Sequence, residues 1–232
     1  MAFSIAWLLL AQVNFGYSWW HKVLAIQQVS EQYGPQNRYR KGFELTDKAE
    51  HVRLFAAINT AVHHQGQGLI EIQYHSPNGE MIDNLLHQAE IVHLQDVADL
   101  IDRMKVAAIV VSFLWLGLVV MYQLTSMPMP ALKQQLLGIG GLVFGASMLL
   151  LLSGPVKVFY AMHDWVFPAG HQWFFYYQDS LMSTLMKAPD LFGAIGVLLT
   201  GLALLIFGLL GWVLRYLLAG NFKSNNPPTG AN

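Results

Sequence analysis

Long apolar stretches interrupt the chain at four places, and their lengths predict helices that cross a membrane. A crossing needs about 20 mostly apolar residues. The stretches at 106–122, 132–152 and 192–214 meet that requirement, and the stretch at 3–20 approaches it. The third and fourth stretches carry glycines at short intervals, which permits close contact between helices. We therefore expect four transmembrane helices.

The stretch at 3–20 is the least typical of the four. Gln12 and Asn14 interrupt it, and it ends in an aromatic cluster of the kind found where helices leave a bilayer. A signal peptide is the alternative interpretation, but signal peptides begin with basic residues and end in a small-residue cleavage site, and neither is present. Because the chain begins inside an apolar run without charge, we also expect its true start to lie upstream.

Charged residues are concentrated in one part of the chain. They make up 12% of the sequence, which is about half the share found in soluble domains. Residues 1–21 carry none, residues 22–105 carry 19 and residues 106–232 carry 8. The net charge of −1 indicates no nucleic-acid partner. The absence of cysteine excludes disulfides, thiolate nucleophiles and cysteine metal ligands.

A short connection at 123–131, which contains Pro128 and Pro130, joins the second and third predicted crossings. These two helices must therefore run in opposite directions, so the segments 22–105 and 153–191 lie on the same side of the membrane. Basic residues do not identify that side, because they flank the crossings on both.

The polar segment shows the patterns of a small α+β unit. Thr46 and Asp47 precede a helical pattern at 49–64. Residues 69–75 alternate and precede a Ser-Pro-Asn-Gly turn, which predicts a hairpin with residues 80–83. From Leu86 onwards nothing breaks the helical pattern, so we expect one continuous helix that rises into the second crossing.

His93 is an imidazole in an apolar position. It lies one turn before Val97, on the stripe that faces protein or lipid, and Asp96 is near enough along the helix to orient it. A packed histidine that Asp96 satisfies is the simpler interpretation, and a catalytic histidine is the alternative.

His163 lies among aromatic residues shortly after the third crossing, and five further aromatics follow in a row at 173–177. An aromatic belt at the membrane surface is one interpretation. The run is denser than a belt requires, and Gln172, Gln178 and Asp179 flank it, so an apolar pocket with a few polar groups is equally supported.

Other chemistry finds little support. No HxxxH or HExxH spacing indicates a zinc site, although His93, His163 and a carboxylate leave one as a minor alternative. No phosphate loop or GxSxG elbow occurs. We therefore expect no metal and no cofactor. The remaining histidines are interpreted as structural or solvated: His21, His51, His63, His64, His75, His87 and His171.

Two stretches together resemble the bacterial lipoprotein intramolecular transacylase family. One precedes the second crossing and the other lies between the third and fourth. They read His93-Leu94-Gln95-Asp96-Val97 and His163…Phe167-Pro168…Trp173-Phe174…Asp179-Ser180-Leu181…Pro189…Phe192.

This resemblance implies an all-α integral membrane protein with four transmembrane helices and a small α+β extracytoplasmic cap, located in the bacterial cytoplasmic membrane. The corresponding segments are helix 1 (1–21), cap (22–105), helices 2 and 3 (106–152), aromatic loop (153–191), helix 4 (192–218) and disordered tail (219–232).

The resemblance also implies a reaction. The sn-2 acyl chain of a diacylglyceryl lipoprotein would move to the α-amine of its own N-terminal cysteine, giving a lyso-form lipoprotein, with membrane lipid as the other partner. His93 and His163 would be catalytic, one as base and the other as hydrogen-bond donor. Asp96 and Asp179 would support them. The pocket would be lined by Phe167, Trp173, Phe174, Tyr176 and Tyr177.

Two alternatives remain at this point. A membrane lipid esterase could use the same two histidines to hydrolyse an acylglycerol. A non-enzymatic scaffold or sensor would instead leave the two histidines apart.

Overall fold

The computed structural model describes residues 1–125 and 130–224, with side chains as far as Tyr216. Nine α-helices and two β-strands lie within those ranges. They are α1 (Ala2–Gln12), α2 (Tyr17–Val23), α3 (Ile26–Tyr33), α4 (Lys48–His63), β1 (Gln73–His75), β2 (Met81–Asn84), α5 (Gln88–Thr125), α6 (Leu132–Ser153), α7 (Pro155–Val166), α8 (Leu181–Met186) and α9 (Asp190–Ser224).

Three helices are long and apolar enough to span a membrane. Among the described residues these are α5, α6 and the part of α9 at Asp190–Tyr216, whose most apolar stretches of 18 residues have mean hydropathies of 2.3, 2.1 and 2.5. Most of their apolar side chains are exposed, as expected of surfaces that face lipid. In α5 the charge-free part begins at Val106, so the first turns of this helix belong to the polar part of the molecule.

The apolar stretch at 3–20, which was expected to form the first crossing, is not a single helix. Helix α1 has 11 residues, which correspond to about 16 Å and so to about half of a bilayer core. Asn14, Phe15 and Gly16 then adopt left-handed backbone angles, with φ of 49°, 52° and 72°. The Asn59 side chain donates to the carbonyl of Ala11 and to Oδ1 of Asn14, so a tertiary contact stabilises the break.

The other end of the chain also differs from the sequence prediction. Helix α9 continues to Ser224, six residues beyond the expected end at residue 218, since Gly220 and Asn221 do not end it and no proline occurs between the start of the helix and Pro227. The rest of the predicted tail, residues 225–232, lies outside the described residues, as does Pro128 of the predicted turn.

Several elements of the polar segment agree with the sequence prediction, although the first strand covers only Gln73–His75 and residues Leu69–Glu71 form a 3-10 helix. Asp47 caps α4, its side chain accepting a hydrogen bond from the backbone N–H of Glu50. Strands β1 and β2 pair antiparallel, with Tyr74 opposite Asp83 and an irregularity between Tyr74 and His75. The uninterrupted helix from the cap into the second crossing is also confirmed by the 38 residues of α5.

Helices α2, α4 and α8 meet in a core that lies on the polar side of the spanning helices. Tyr17 is fully buried there, stacks on Phe55 at 4.3 Å and donates its hydroxyl to the carbonyl of Leu185, 2.7 Å away. This contact joins residue 17 to the segment that follows the third crossing. The segments 22–105 and 153–191 thus lie on one side of the spanning helices.

Glu90 provides the most buried polar contact between those two segments. Its carboxylate accepts hydrogen bonds from the Ser180 hydroxyl (2.6 Å), the backbone N–H of Met182 (3.0 Å) and the backbone N–H of His87 (2.7 Å). The side chain has no exposed area, and burial raises its pKa. These bonds fasten the first turn of α8 to the first turn of α5.

A second buried polar group joins α2 to α4. The Thr46 hydroxyl donates to the carbonyl of Phe43, so it accepts from Nε2–H of His51 at 2.8 Å. His51 Nδ1 therefore accepts from Nε2–H of His21 at 2.9 Å. Burial lowers the pKa of both imidazoles to about 4, and Lys48 adds to the effect on His21.

Replacing Glu90 by alanine should destabilise the fold. The substitution leaves three buried donors without their acceptor, which costs at least about 2 kcal/mol. Thermal unfolding of the detergent-solubilised protein measures the loss, and Glu80→Ala in the exposed hairpin turn is the matched control. Equal unfolding temperatures for the two variants would contradict this role.

Acid should destabilise the protein through the His21–His51 pair. Between pH 6.5 and about 4 the unfolded chain binds protons at these two residues and the folded chain does not, so stability falls as pH falls through that window. Asp47 and Glu50 oppose the shift at His51 without cancelling it. The unfolding temperature measured against pH should depend less on pH in His21→Asn, which keeps a donor, than in the exposed control His64→Asn. The same pH dependence in both variants would refute the assignment.

Candidate functional site

His93 and His163 pack against the same aromatic ring. The Phe167 centroid lies 5.0 Å from the imidazole of His93 and 5.3 Å from that of His163. The two imidazoles are therefore no farther apart than the sum of these distances. They are also close enough for a charge on His163 to lower the pKa of His93.

The local fold explains how two residues so distant in sequence meet. His93 lies in the second turn of α5, one turn after the buried Glu90. Gly154, at φ of 89°, ends α6 and lets Pro155 begin α7, which carries His163 in its last turn. Phe167 ends α7 four residues later, so its ring reaches both histidines.

His163 has a defined tautomer. Its Nδ1 lies 2.7 Å from the backbone carbonyl of Phe159, and a carbonyl can only accept, so Nδ1 carries the hydrogen. In the neutral ring, Nε2 then holds a free lone pair. Burial lowers the pKa of His163, while the Phe159 carbonyl and Asp164 oppose the shift. The imidazole is therefore mainly neutral at pH 7.

His93 is the more buried imidazole. Burial, with a contribution from His163, lowers its pKa to about 4, and Asp96 opposes the shift. Its Nδ1 is buried and has no hydrogen-bond partner among the described residues.

Asp96 contacts a different histidine from the one expected. Its Oδ2 accepts from Nδ1 of His171 at 2.8 Å, and no hydrogen bond to His93 occurs among the described residues. Asp96 therefore fastens the loop after α7 to α5. The sequence could not show this partner, because His171 lies 75 residues away and is half-exposed.

The predicted pocket residues divide into two groups. Trp173 packs 4.7 Å from His163 and donates its indole N–H to Asp164, and Phe174 packs on the edge of Trp173 at 6.2 Å. Tyr176 contacts Phe174 at 5.1 Å and is mostly exposed. Tyr177 lies elsewhere, since its ring packs on Tyr33 and its hydroxyl donates to the carbonyl of Ala188.

Asp179 does not reach either imidazole. Its Oδ1 lies 2.9 Å from Nη1 of Arg38, without hydrogen-bond alignment, and its backbone carbonyl accepts from Nε2 of His87. Asp179 therefore ties the aromatic loop to the cap at a distance from the histidines. This position corrects the expectation that it supports the catalytic pair directly.

Three residues complete the site that sequence reasoning did not select. Phe159 lies 4.0 Å from the His163 ring, one helical turn before it, and this spacing could have identified it. Phe175 is buried 6.0 Å from His93, and His171 pairs with Asp96. Only the fold places these last two.

The arrangement is suited to proton transfer in a water-poor setting. Two neutral imidazoles lie among Phe159, Phe167, Trp173 and Phe175, so one ring can take a proton while the other donates a hydrogen bond. Within the described residues, no three His, Asp or Glu side chains come together as metal ligands would.

Comparison with known proteins gives one match. No curated protein and no solved structure matches the chain. The family described as lipoprotein intramolecular transacylase Lit matches residues 61–188, which is more than half of the chain and includes both His93 and His163. The chain therefore belongs to the lipoprotein intramolecular transacylase family.

Proposed function

We propose that this protein moves the sn-2 acyl chain of a diacylglyceryl lipoprotein to the α-amine of that lipoprotein's N-terminal cysteine. Family membership supports the class of reaction. The observation that carries the proposal is the contact of His93 and His163 with one Phe167 ring, which supports a single site that uses both imidazoles. The product is an N-acyl, lyso-glyceryl lipoprotein.

Because donor and acceptor belong to one substrate, positioning does much of the work. Holding the amine against the ester in a reactive geometry gives an effective molarity of up to about 10⁵ to 10⁸ M. The aromatic rings around the histidines exclude water, which would otherwise compete with the amine and release free fatty acid. An apolar wall with few polar groups is consistent with this task.

His163 is the base in this mechanism. Its Nδ1–H is held by the Phe159 carbonyl, so Nε2 receives the proton that the amine loses as nitrogen attacks the ester carbonyl. An α-amine has a pKa of about 7.7 to 8.0, so part of it is neutral and nucleophilic near pH 7. When the carbon–oxygen bond to the glyceryl group breaks, the same Nε2–H protonates the leaving oxygen.

His93 is the donor to the oxyanion. With a pKa of about 4 it is neutral near pH 7, so it donates an N–H without first binding a proton. This differs from a protonated second histidine, which its burial disfavours. The developing negative charge strengthens that hydrogen bond in the transition state, which is how such a donor increases the rate.

The three apolar helices support a membrane location. We place the protein in the bacterial cytoplasmic membrane with the cap outside the cytoplasm because the family resemblance implies that arrangement. The lipoprotein's acyl chains then remain in the bilayer while its amine reaches the histidines.

Alanine substitutions separate the roles of the two histidines. His163→Ala should reduce conversion by about 10² to 10⁴-fold through loss of the base, and His93→Ala by about 10² to 10³-fold through loss of the donor. Asp96→Asn should cost less than either, because Asp96 contacts His171 and not the reacting groups. Mass spectrometry of lipoprotein N-termini from membranes with and without the protein measures conversion.

One control variant and two possible outcomes decide how that experiment is interpreted. His64→Ala, an exposed histidine on the cap, is the control for a lost imidazole. Full activity of His93→Ala or His163→Ala in the membrane would remove that residue from the mechanism. A glyceryl cysteine that loses one acyl chain without gaining an N-acyl group would indicate an esterase.

A further inference from the structure

A polar groove adjoins the candidate site on the side away from the spanning helices. It has a volume of about 430 Å³, within the range of about 300 to 1,000 Å³ typical of ligand sites. Its walls come from the loop after α3 in the cap, the start of α5 and the aromatic loop. They include Arg38, Tyr39, His87, Gln88, Gln172 and Asp179.

A line of packed rings links one wall of the groove to His93. His93 lies 6.0 Å from Phe175, Phe175 lies 6.0 Å from His87, and His87 lies 4.6 Å from Tyr39. On the opposite wall, Gln172 stands between His171, which pairs with Asp96, and Trp173, which packs on His163. The groove therefore lies two ring contacts from His93, close enough for a chain that extends beyond the site to reach it.

The direction of the groove suits one end of an amphipathic substrate. Gln88 lies five residues before His93, which is about 7.5 Å farther from the charge-free part of α5. Apolar side chains are exposed on the other side of the site, where Trp165 is 87% exposed and Tyr160, Met162 and Phe174 are partly exposed. Acyl chains in the bilayer would lie against those residues, which leaves the groove for a polar extension.

We infer that this groove binds the polypeptide segment that follows the N-terminal cysteine of the lipoprotein substrate, an inference that rests on the proposed transfer. The guanidinium of Arg38 lies against Asp179 but is 70% exposed at its side chain, so it has further N–H groups for peptide carbonyls. Gln172 donates to the carbonyl of Phe174, which leaves its amide oxygen to accept a peptide N–H, and the Gln88 amide can do both. Contacts of this kind recognise main chain, so lipoproteins of different sequence bind alike.

One wall of the groove is rigid before any ligand arrives. Asn37 is fully buried, and its Oδ1 accepts hydrogen bonds from the backbone N–H groups of Tyr39 and Arg40. Arg40 also donates to the carbonyl of Leu86, two residues before α5 begins. A preformed wall lowers the entropy that binding a peptide costs.

Binding of two fluorescent lipopeptides tests the inference. Both carry the diacylglyceryl cysteine, one with a long peptide tail and one with a single following residue. Affinities are measured on the full-length protein in detergent, in a His163→Ala background that prevents conversion. The long tail should bind about tenfold more tightly, the size expected for one or two charge-assisted hydrogen bonds at a partly exposed site.

Replacing Arg38 and Tyr39 together by alanine should abolish that preference for the long tail and leave binding of the short lipopeptide unchanged. The matched control is Lys48→Ala with Trp19→Ala, which also removes one cation and one exposed aromatic, from the cap's other groove. No preference in the parent protein, or a preference that survives in the groove variant, overturns the inference. Acyl transfer itself is measured separately, by mass spectrometry with the wild-type protein. Absence of N-acyl product there refutes the proposed function, whatever the peptide preference.

Discussion

The buried carboxylate of Glu90 is the interaction on which the geometry of the site depends. It lies at the junction between the start of α5 and the start of α8. It accepts hydrogen bonds from the Ser180 hydroxyl and Met182 N–H at α8 and from the His87 N–H at α5. Since His93 follows one turn later on α5, the same junction that anchors the start of α8 sets the position of the aromatic loop against His93. A carboxylate out of water is costly unless every oxygen is satisfied, and here both oxygens are.

Around that junction the chain separates two environments that its substrate needs. The spanning parts of α5, α6 and α9 expose apolar surface, and the cap buries polar pairs such as His21 with His51. His93 and His163 lie where these environments meet, with pKa values lowered by burial. Neutral imidazoles can exchange a proton near pH 7 without moving a net charge into an apolar region.

Local patterns predicted much of this structure, and long-range contacts account for the remainder. Helix α5 could be predicted because nothing breaks its pattern before Val106, and His93 stood out because it shares a face with Val97. The left-handed backbone after α1 could not be predicted, since Asn59 of α4, distant in sequence, stabilises it by hydrogen bonds to Ala11 and Asn14. The partner of Asp96 could not be predicted either, because His171 is 75 residues away in sequence and only the fold brings the two together.

Cross-linking residues 93 and 163 tests the central claim most directly, because the chain contains no cysteine of its own. His93→Cys and His163→Cys are combined, and a short thiol-specific cross-linker is added to intact membranes. The account predicts efficient intramolecular cross-linking, as two side chains packed on one Phe167 ring require. If each cysteine reacts singly but the pair never joins, the two positions do not share a site and the account is contradicted.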